Sequence, residues 1–438
     1  MFDSDLDLHN SLCRPDAGDR MYALATELFP ICRSITGNGV RRSLDLIERR
    51  IPLTRTETPS GTQVLDWTVP LEWNIADAYI KNAAGERVVD FQKNNLHVLN
   101  YSAPVRARMS LDDLKQHIFT LPEQPGLIPY RTSYYQERWG FCMSQNALDA
   151  LPDGEYEAVV DSTLAPGSLT YGEHLHMGGS TDEVLLTAHI CHPSLANDNC
   201  AGLALLAELA DAMRPLKTRY SYRFLFAPGT IGAITWLARN EANARRIKHG
   251  LVLSCVGDGG GPTYKRTRRG DALIDRAMTH LLKHAFAQAN VVDFFPYGYD
   301  ERQYNSPGFK LEVGLFQRSQ FATFPEYHTS ADNLDFIKAE HLQSSLQAVS
   351  AAIAVLELDQ LFINTAPKGE PQLGRRGLYS TIGGDKDSYA KNMAMLWILN
   401  LSDGTHSLLD IAERANTPFA LIAHCAGLLA QKGLLTPA

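Results

Sequence analysis

His189 and Asp198 are the residues whose type and placement speak most directly of chemistry. Val184, Leu185 and Leu186 read as a buried strand that delivers His189. A short polar loop follows, and Asp198 stands just ahead of an apolar helical pattern, Leu203, Leu205, Leu206 and Leu209. That layout predicts both side chains at the carboxyl edge of a sheet, where open α/β folds build their sites. Imidazole and carboxylate are ligands that a Zn²⁺-class ion takes. The same two groups also form a plain hydrogen-bonded structural pair, and their spacing leaves both readings open. Cys191, in a loop whose direction the sequence does not give, is a softer candidate donor.

Four later stretches bear on this pair. Ser254–Gly260 ends an apolar run with Asp258 and a glycine cluster. Pro325–Asn333 carries Glu326, Tyr327 and His328 just before a helix start. Tyr299–Gln303 sets Asp300 and Glu301 beside Arg302, and Phe226–Gly232 reads as a strand-to-helix turn facing the same edge. Taken singly, each has an ordinary explanation: Asp258 as a turn former, Asp300 and Glu301 as solvated acids, His328 as a helix cap.

Stepping outward, Val184–His189, Tyr222–Ala227 and Gly250–Val256 predict buried strands, with helices over 201–213, 231–247 and 271–288 between them. This β-α-β alternation predicts an α/β core with a mostly parallel central sheet, spanning 1–54 and 165–365. Residues 55–164 change character. Short aromatic and β-branched segments (64–68, 77–81, 88–91, 97–101, 139–142, 156–161) predict an inserted β-rich domain. The Pro- and Gly-rich stretch 366–385 predicts a linker or arm. Helical patterns at 389–400, 406–415 and 417–433, ending in a Gly433-Leu434-Leu435 strand start, predict a winged helix over 386–438.

The chain has 438 residues, 45% hydrophobic and 21% charged, which suits an ordinary protein with a sizeable core. Its formal net charge of −8 opposes nucleic acid and anionic membrane surfaces. In the expected winged helix, Lys386, Lys391, Arg414 and Lys432 are balanced by Asp387, Asp403, Asp410 and Glu413. No basic recognition face results, so contact with protein, including a second copy of the chain, or gating of substrate is expected there instead. No apolar run approaches the roughly 20 residues needed to span a bilayer. The start lacks the marks of a signal peptide. Seven scattered cysteines without a CxxC make no disulfide framework. The expectation is a cytoplasmic chain.

In order, His189, Asp198, the turn at 229, Asp258 and His328 resemble the zinc aminopeptidase and carboxypeptidase-like class of α/β folds. A closer resemblance, over nearly the whole chain, is to a bacterial subfamily of aminopeptidase-like proteins found with polysaccharide-biosynthesis genes. It is carried by LFPICRSITGNGVR (28–41), SGTQVLDWTVPLEWNI (60–75), NNLHVLNYSAPV (94–105), HICHPSLANDN (189–199), YDERQYNSPGF (299–309) and PEYHTSADN (325–333). The resemblance implies a zinc-exopeptidase-like three-layer core, a β-rich insertion and a C-terminal winged helix. In that class a His and an Asp bind a first metal, an Asp bridges to a second and a late His completes it; here His189, Asp198 and His328 are expected to hold one zinc firmly, with a second metal as the alternative, and to leave an open position on the ion. Asp258 is then a fourth ligand or a partner orienting His189.

The chain departs from that pattern at one turn. The resemblance leads one to expect Pro-Glu-Thr-Ile-Gly at 228–232, with the glutamate as general base, but this chain has Gly229. Thr230 stands where the class has a carboxylate ligand, so a second metal would lack a partner. A well-placed base contributes about 10²–10⁴-fold in rate. The chain is therefore a weakened or inactive relative, a variant altered at this turn, or an enzyme whose base comes from elsewhere. Glu326 is the first substitute by position, followed by His192 and Glu301.

The expected activity is metal-dependent hydrolysis of an amide bond in a small aminoacyl, peptide or amino-sugar substrate. Asp300, Glu301, Arg302 and Tyr327 are the expected substrate contacts. A ligand-binding protein without turnover is the alternative, and a DNA-binding regulator the third reading. Trp67, Trp73, Tyr130, Tyr134, Tyr135 and Trp139 in the insertion either stack on a substrate or form the insertion's own core. Arg131 is a candidate contact for an anionic substrate group.

Overall fold

The computed structural model describes residues 5–378 and 386–438. Its centre is an eight-stranded sheet in the order Thr54–Pro59, Ser168–His176, Ser221–Ala227, Glu183–His189, Ile247–Leu253, Val313–Gln317, Thr263–Lys265, Asn290–Val292. The middle four strands, Ser221–Ala227 through Val313–Gln317, are mutually parallel. Antiparallel pairings flank them on both sides, so the sheet is mixed.

The parallel strands are buried at nearly every position because helices cover both faces. Alternation along one strand shows the layering. Val184, Leu186 and Ala188 enter a core shared with the helices Ala17–Leu28, Gly202–Met213 and Ala339–Leu358. Leu185 points the other way, to Ile231, Ile234 and Trp236 of the helix Ile231–Arg239. The result is the expected three-layer α/β core.

Three local expectations need correction. The helix foreseen over 231–247 breaks at Asn240, which leaves helical dihedrals (φ −126°, ψ 29°), resumes only over Glu241–Ala244, and gives way to a strand at Ile247. The strand foreseen at 97–101 is absent, and a single 3₁₀ turn, Asn95–His97, stands at its start. Thr54–Pro59 pairs with Ser168–His176 at the sheet edge, so most of this segment, foreseen in the insertion, extends the central sheet.

The insertion forms its own four-stranded antiparallel sheet, Arg87–Asp90, Glu72–Lys81, Glu155–Ala165 and Val105–Ser110. Ala78, Ile80, Leu111, Phe141 and Val160 make its separate core. At the C-terminal end, Asp403–Ser407, Leu361–Asn364 and Leu435–Pro437 form a three-stranded sheet beside the helices Lys386–Leu401, Leu408–Ala415 and Phe419–Gln431. Its first strand therefore precedes the stretch foreseen as a linker, of which 379–385 lie outside the described residues. This unit packs on the core. Arg276 pairs with Asp410 and Glu413, each at 2.6 Å, and Lys283 Nζ donates to Asn416 Oδ1 at 2.7 Å. No helix among the described residues is long and apolar enough to cross a membrane.

Beneath the site, Arg223 on the Ser221–Ala227 strand donates to Glu183 at 2.7 and 3.0 Å and to Glu173 at 3.0 Å. Arg223 and Glu183 are both buried, so each charge depends on the other. Arg223→Met should cost about 3–5 kcal/mol of unfolding free energy, because it strands Glu183 without a partner. Urea unfolding checks this; a loss under about 1 kcal/mol, the range of an exposed pair, would contradict it.

Candidate metal centre and cavity

The strand Glu183–His189 ends at the carboxyl edge with His189 beside Ala227 of its parallel neighbour. The chain then turns through Ile190–Leu195 into an irregular turn, Ala196–Ala201, that carries Asp198 back under the ring. The Val313–Gln317 strand leads to the loop that brings in His328 from the far side. His189, Asp198 and His328, foreseen as ligands, are thus brought together by three segments of one edge.

The carboxylate of Asp198 is the hub. His189 Nε2 lies 2.8 Å from its Oδ1, and His328 Nε2 and His192 Nδ1 lie 3.0 and 3.4 Å from its Oδ2. His189 Nε2 and His192 Nδ1 are 3.1 Å apart. Donors about 2.0 Å from a tetrahedral zinc would stand about 3.3 Å from one another. The separations here fit that set, and donor atoms of His189, His192 and Asp198 all fall within 4.8 Å of one another.

Electrostatics favour a cation among these groups. Burial opposes ionisation of Asp198, but His192 and His189 outweigh it and hold the carboxyl well below the usual range. Burial lowers His189 and His328, keeping their rings neutral despite Asp198. An ionised carboxylate among neutral imidazoles is the protonation state that metal binding requires.

His192 was foreseen as a substitute base, whereas the structure places it in the donor set. The His189-x-x-His192 spacing after a strand end was its signal in the sequence. Asp258 is not at the hub. Its Oδ1 accepts from Gly260 N (2.7 Å) and Ser319 Oγ (2.7 Å), and its Oδ2 accepts from Asn197 Nδ2 (2.8 Å). It neither joins the donors nor touches His189; Asn199 Nδ2 stands 3.4 Å from His189 Nδ1 instead. Asp258 braces the loop before Asp198.

Asp332, not singled out in the sequence, does more of this work. Its carboxyl accepts from Asn197 N at 2.6 Å and Asp198 N at 3.0 Å, and burial pushes it up to about 8. Cys191 is buried with its thiol facing the Gly229 carbonyl at 3.5 Å. Burial pushes it up to about 12, so it remains a thiol.

A cavity of about 490 Å³ opens on the histidines. Gly229, Thr230, Asp300, Arg302 and Tyr327 line it. Glu326, the foreseen substitute base, does not; its carbonyl accepts from Thr329 N at 3.1 Å and Oγ1 at 2.8 Å. Glu301 does not line it either. Its carboxylate pairs with Lys265 Nζ at 2.8 Å, both side chains fully buried, which turns it away from substrate. Asp300 is buried, and neither carboxyl oxygen has a hydrogen-bond partner among the described residues. Burial pushes Asp300 up to about 8, with Glu301 adding to the shift and Arg302 opposing it.

The insertion supplies one wall. Tyr130 N donates to the His328 carbonyl at 2.7 Å, and the Tyr130 ring meets His328 and His192 edge-on with centroids 5.0 and 5.1 Å away. Tyr327 stacks on His328 at 4.0 Å and Tyr299 on His189 at 4.8 Å. The foreseen aromatics divide. Trp67, Tyr130, Tyr134 and Tyr135 line the cavity, together with Arg131, while Trp73 is core and Trp139 stacks on His117.

Comparison with known proteins places this architecture. A family model described as Domain of unknown function (DUF4910) matches residues 22–359, and a winged helix-turn-helix model matches 360–437. A Clostridium acetobutylicum protein named for polysaccharide biosynthesis and an aminopeptidase-like domain is 52% identical over 420 residues, covering 96% of each chain. A crystal structure from the same organism, named as a peptidase, has a TM-score of 0.93 at 50% identity over 99% of both chains. A zinc aminopeptidase from Bacillus subtilis has a TM-score of 0.55 at 15% identity, covering 77% of this chain and 94% of its own, a likeness of fold.

The raised Asp300 gives a signed prediction. Its folded-state value lies above the unfolded one, so the stability tied to its protonated form is present near pH 4 and lost as pH rises through about 8. In chelator-treated protein, Asp300→Asn should gain melting temperature relative to the wild type between pH 5 and 8. Parallel melting curves across that range would contradict the assignment.

Proposed function

This chain belongs to the DUF4910 family, and we propose that it is a metal-dependent, aminopeptidase-like hydrolase that cleaves an amide bond in a small aminoacyl, peptide or amino-sugar substrate. The observation that carries this reading is the buried, ionised Asp198 within 2.8–3.4 Å of three imidazoles at the mouth of a cavity. His189, His192 and Asp198 would hold one zinc ion, with His328 beside Asp198 completing the set. When bound, zinc polarises a carbonyl and lowers the pKa of water from 15.7 toward about 7.

The chain's own groups account for the rest. Asp332 holds the backbone amides of Asn197 and Asp198, and Asp258 holds the Asn197 side chain, so that the carboxylate is presented to the rings. Tyr327 and Tyr130 pack His328 from two sides and fix its plane. Arg302 and the aromatic wall from the insertion are the surfaces for substrate, and a ring with polar substituents suits tyrosine and tryptophan faces. The relative named for polysaccharide biosynthesis supports an amino sugar among the candidates. The winged helix, with acidic Asp410 and Glu413 turned onto Arg276, serves as a contact module within the protein.

Gly229 favours a second reading, a ligand-binding protein without turnover, because no side chain stands at the expected base position. One experiment separates the two. The purified protein is assayed for zinc and for hydrolysis of aminoacyl anilides, dipeptides and N-acyl amino sugars, before and after chelation. Hydrolysis that stops on chelation and returns with Zn²⁺ supports the hydrolase. Stoichiometric zinc without hydrolysis supports the binder, and failure to take up any metal contradicts both. His192→Ala should weaken zinc binding by about tenfold or more, while Asp258→Asn should keep its zinc.

A further inference from the structure

The turn after the Ser221–Ala227 strand leaves a space that another residue reaches. A β-carbon added at Gly229 would stand 3.1 Å from His189 Cβ and 3.4 Å from Asp300 Oδ1. The Asp300 carboxyl is therefore in contact with the position from which a side chain at 229 would project. Asp300 is 1% exposed, and among the described residues neither of its oxygens has a hydrogen-bond partner. It lines the same cavity as His189, His192 and His328, and among the described residues lining that cavity it is the one acid.

A buried polar group without partners is costly and rare, and it calls for a use. Glu301 beside it is neutralised by Lys265, and Glu326 lies outside the cavity. Tyr299, stacked on His189, fixes the backbone from which Asp300 extends.

We propose that Asp300 is the catalytic base of this site, in place of a carboxylate at position 229. The inference rests on the hydrolase reading above. In the step it implies, the oxygen of water forms a bond to the amide carbonyl carbon while one water proton passes to an Asp300 oxygen. The C–N bond then breaks, its electron pair stays on nitrogen, and Asp300 returns the proton there. The products are a carboxylic acid and an amine, and Asp300 ends unchanged.

The test compares the zinc-loaded wild type with Asp300→Asn, Gly229→Glu and the double variant. Each is measured for zinc content, melting temperature, and kcat and KM on leucine p-nitroanilide, alanyl-alanine and N-acetylglucosamine. Asp300→Asn should keep its zinc, its fold and its KM while kcat falls about 10²–10⁴-fold, the contribution of a positioned base. Adding Gly229→Glu to Asp300→Asn should recover most of that loss, which a purely structural role for Asp300 would not allow. Unchanged kcat in Asp300→Asn overturns the proposal, as does loss of zinc or fold that the second substitution fails to reverse. A wild type that holds zinc and hydrolyses none of the three substrates overturns the hydrolase reading itself, and the base with it.

Discussion

A carboxylate with no exposed surface must be neutralised, bonded or coordinated, and Asp198 imposes that demand on everything around it. Three imidazoles converge on its two oxygens, two from the adjacent stretch of chain and one from 130 residues away. Two of them, His189 and His192, flank a strand-end loop, and the third arrives on the loop after the Val313–Gln317 strand. Burial keeps the rings of His189 and His328 neutral, and the histidines keep the carboxylate charged. The ionised carboxylate thus sits without exposure to water, a condition that a bound cation relieves.

The rest of the architecture holds that cluster still. Four parallel strands, buried on both faces, deliver His189, the Gly229 turn and the His328 loop to one edge. Asp332 and Asp258 grip the backbone and side chain of Asn197 from two directions. The insertion is tied to the His328 loop by hydrogen bonds from Tyr130 N to the His328 carbonyl and from Ser330 N to the Ile128 carbonyl. The insertion wall is thus anchored on the peptide of His328 itself, whose ring faces Asp198.

Much of this was legible in the sequence where a residue type coincided with a strand end. His189 stands out in that way, Asp198 and His328 join it through the family resemblance, and the three-layer core follows from buried runs alternating with helical patterns. The difficulties lie where loop direction decides the outcome. His192 and Glu301 were both read as spare bases, yet one turns toward Asp198 and the other toward Lys265. Asp258 follows an apolar run much as His189 ends one, but Asn197, Gly260 and Ser319 consume its oxygens. Asp300 gave no sign of its isolation, because being unpartnered is a property of surroundings and not of spacing. Thr54–Pro59 reads as a polar, half-exposed segment, which concealed its place at the sheet edge.

On the reading proposed above, Asp198 gathers His189, His192 and His328 around one metal ion. Anomalous diffraction from crystals grown with Zn²⁺ tests it most directly. A single strong peak is expected about 2.0 Å from His189 Nε2, His192 Nδ1 and an Asp198 oxygen. A peak at Asp258 with none at Asp198, or no ordered zinc on a well-formed histidine cluster, would contradict it.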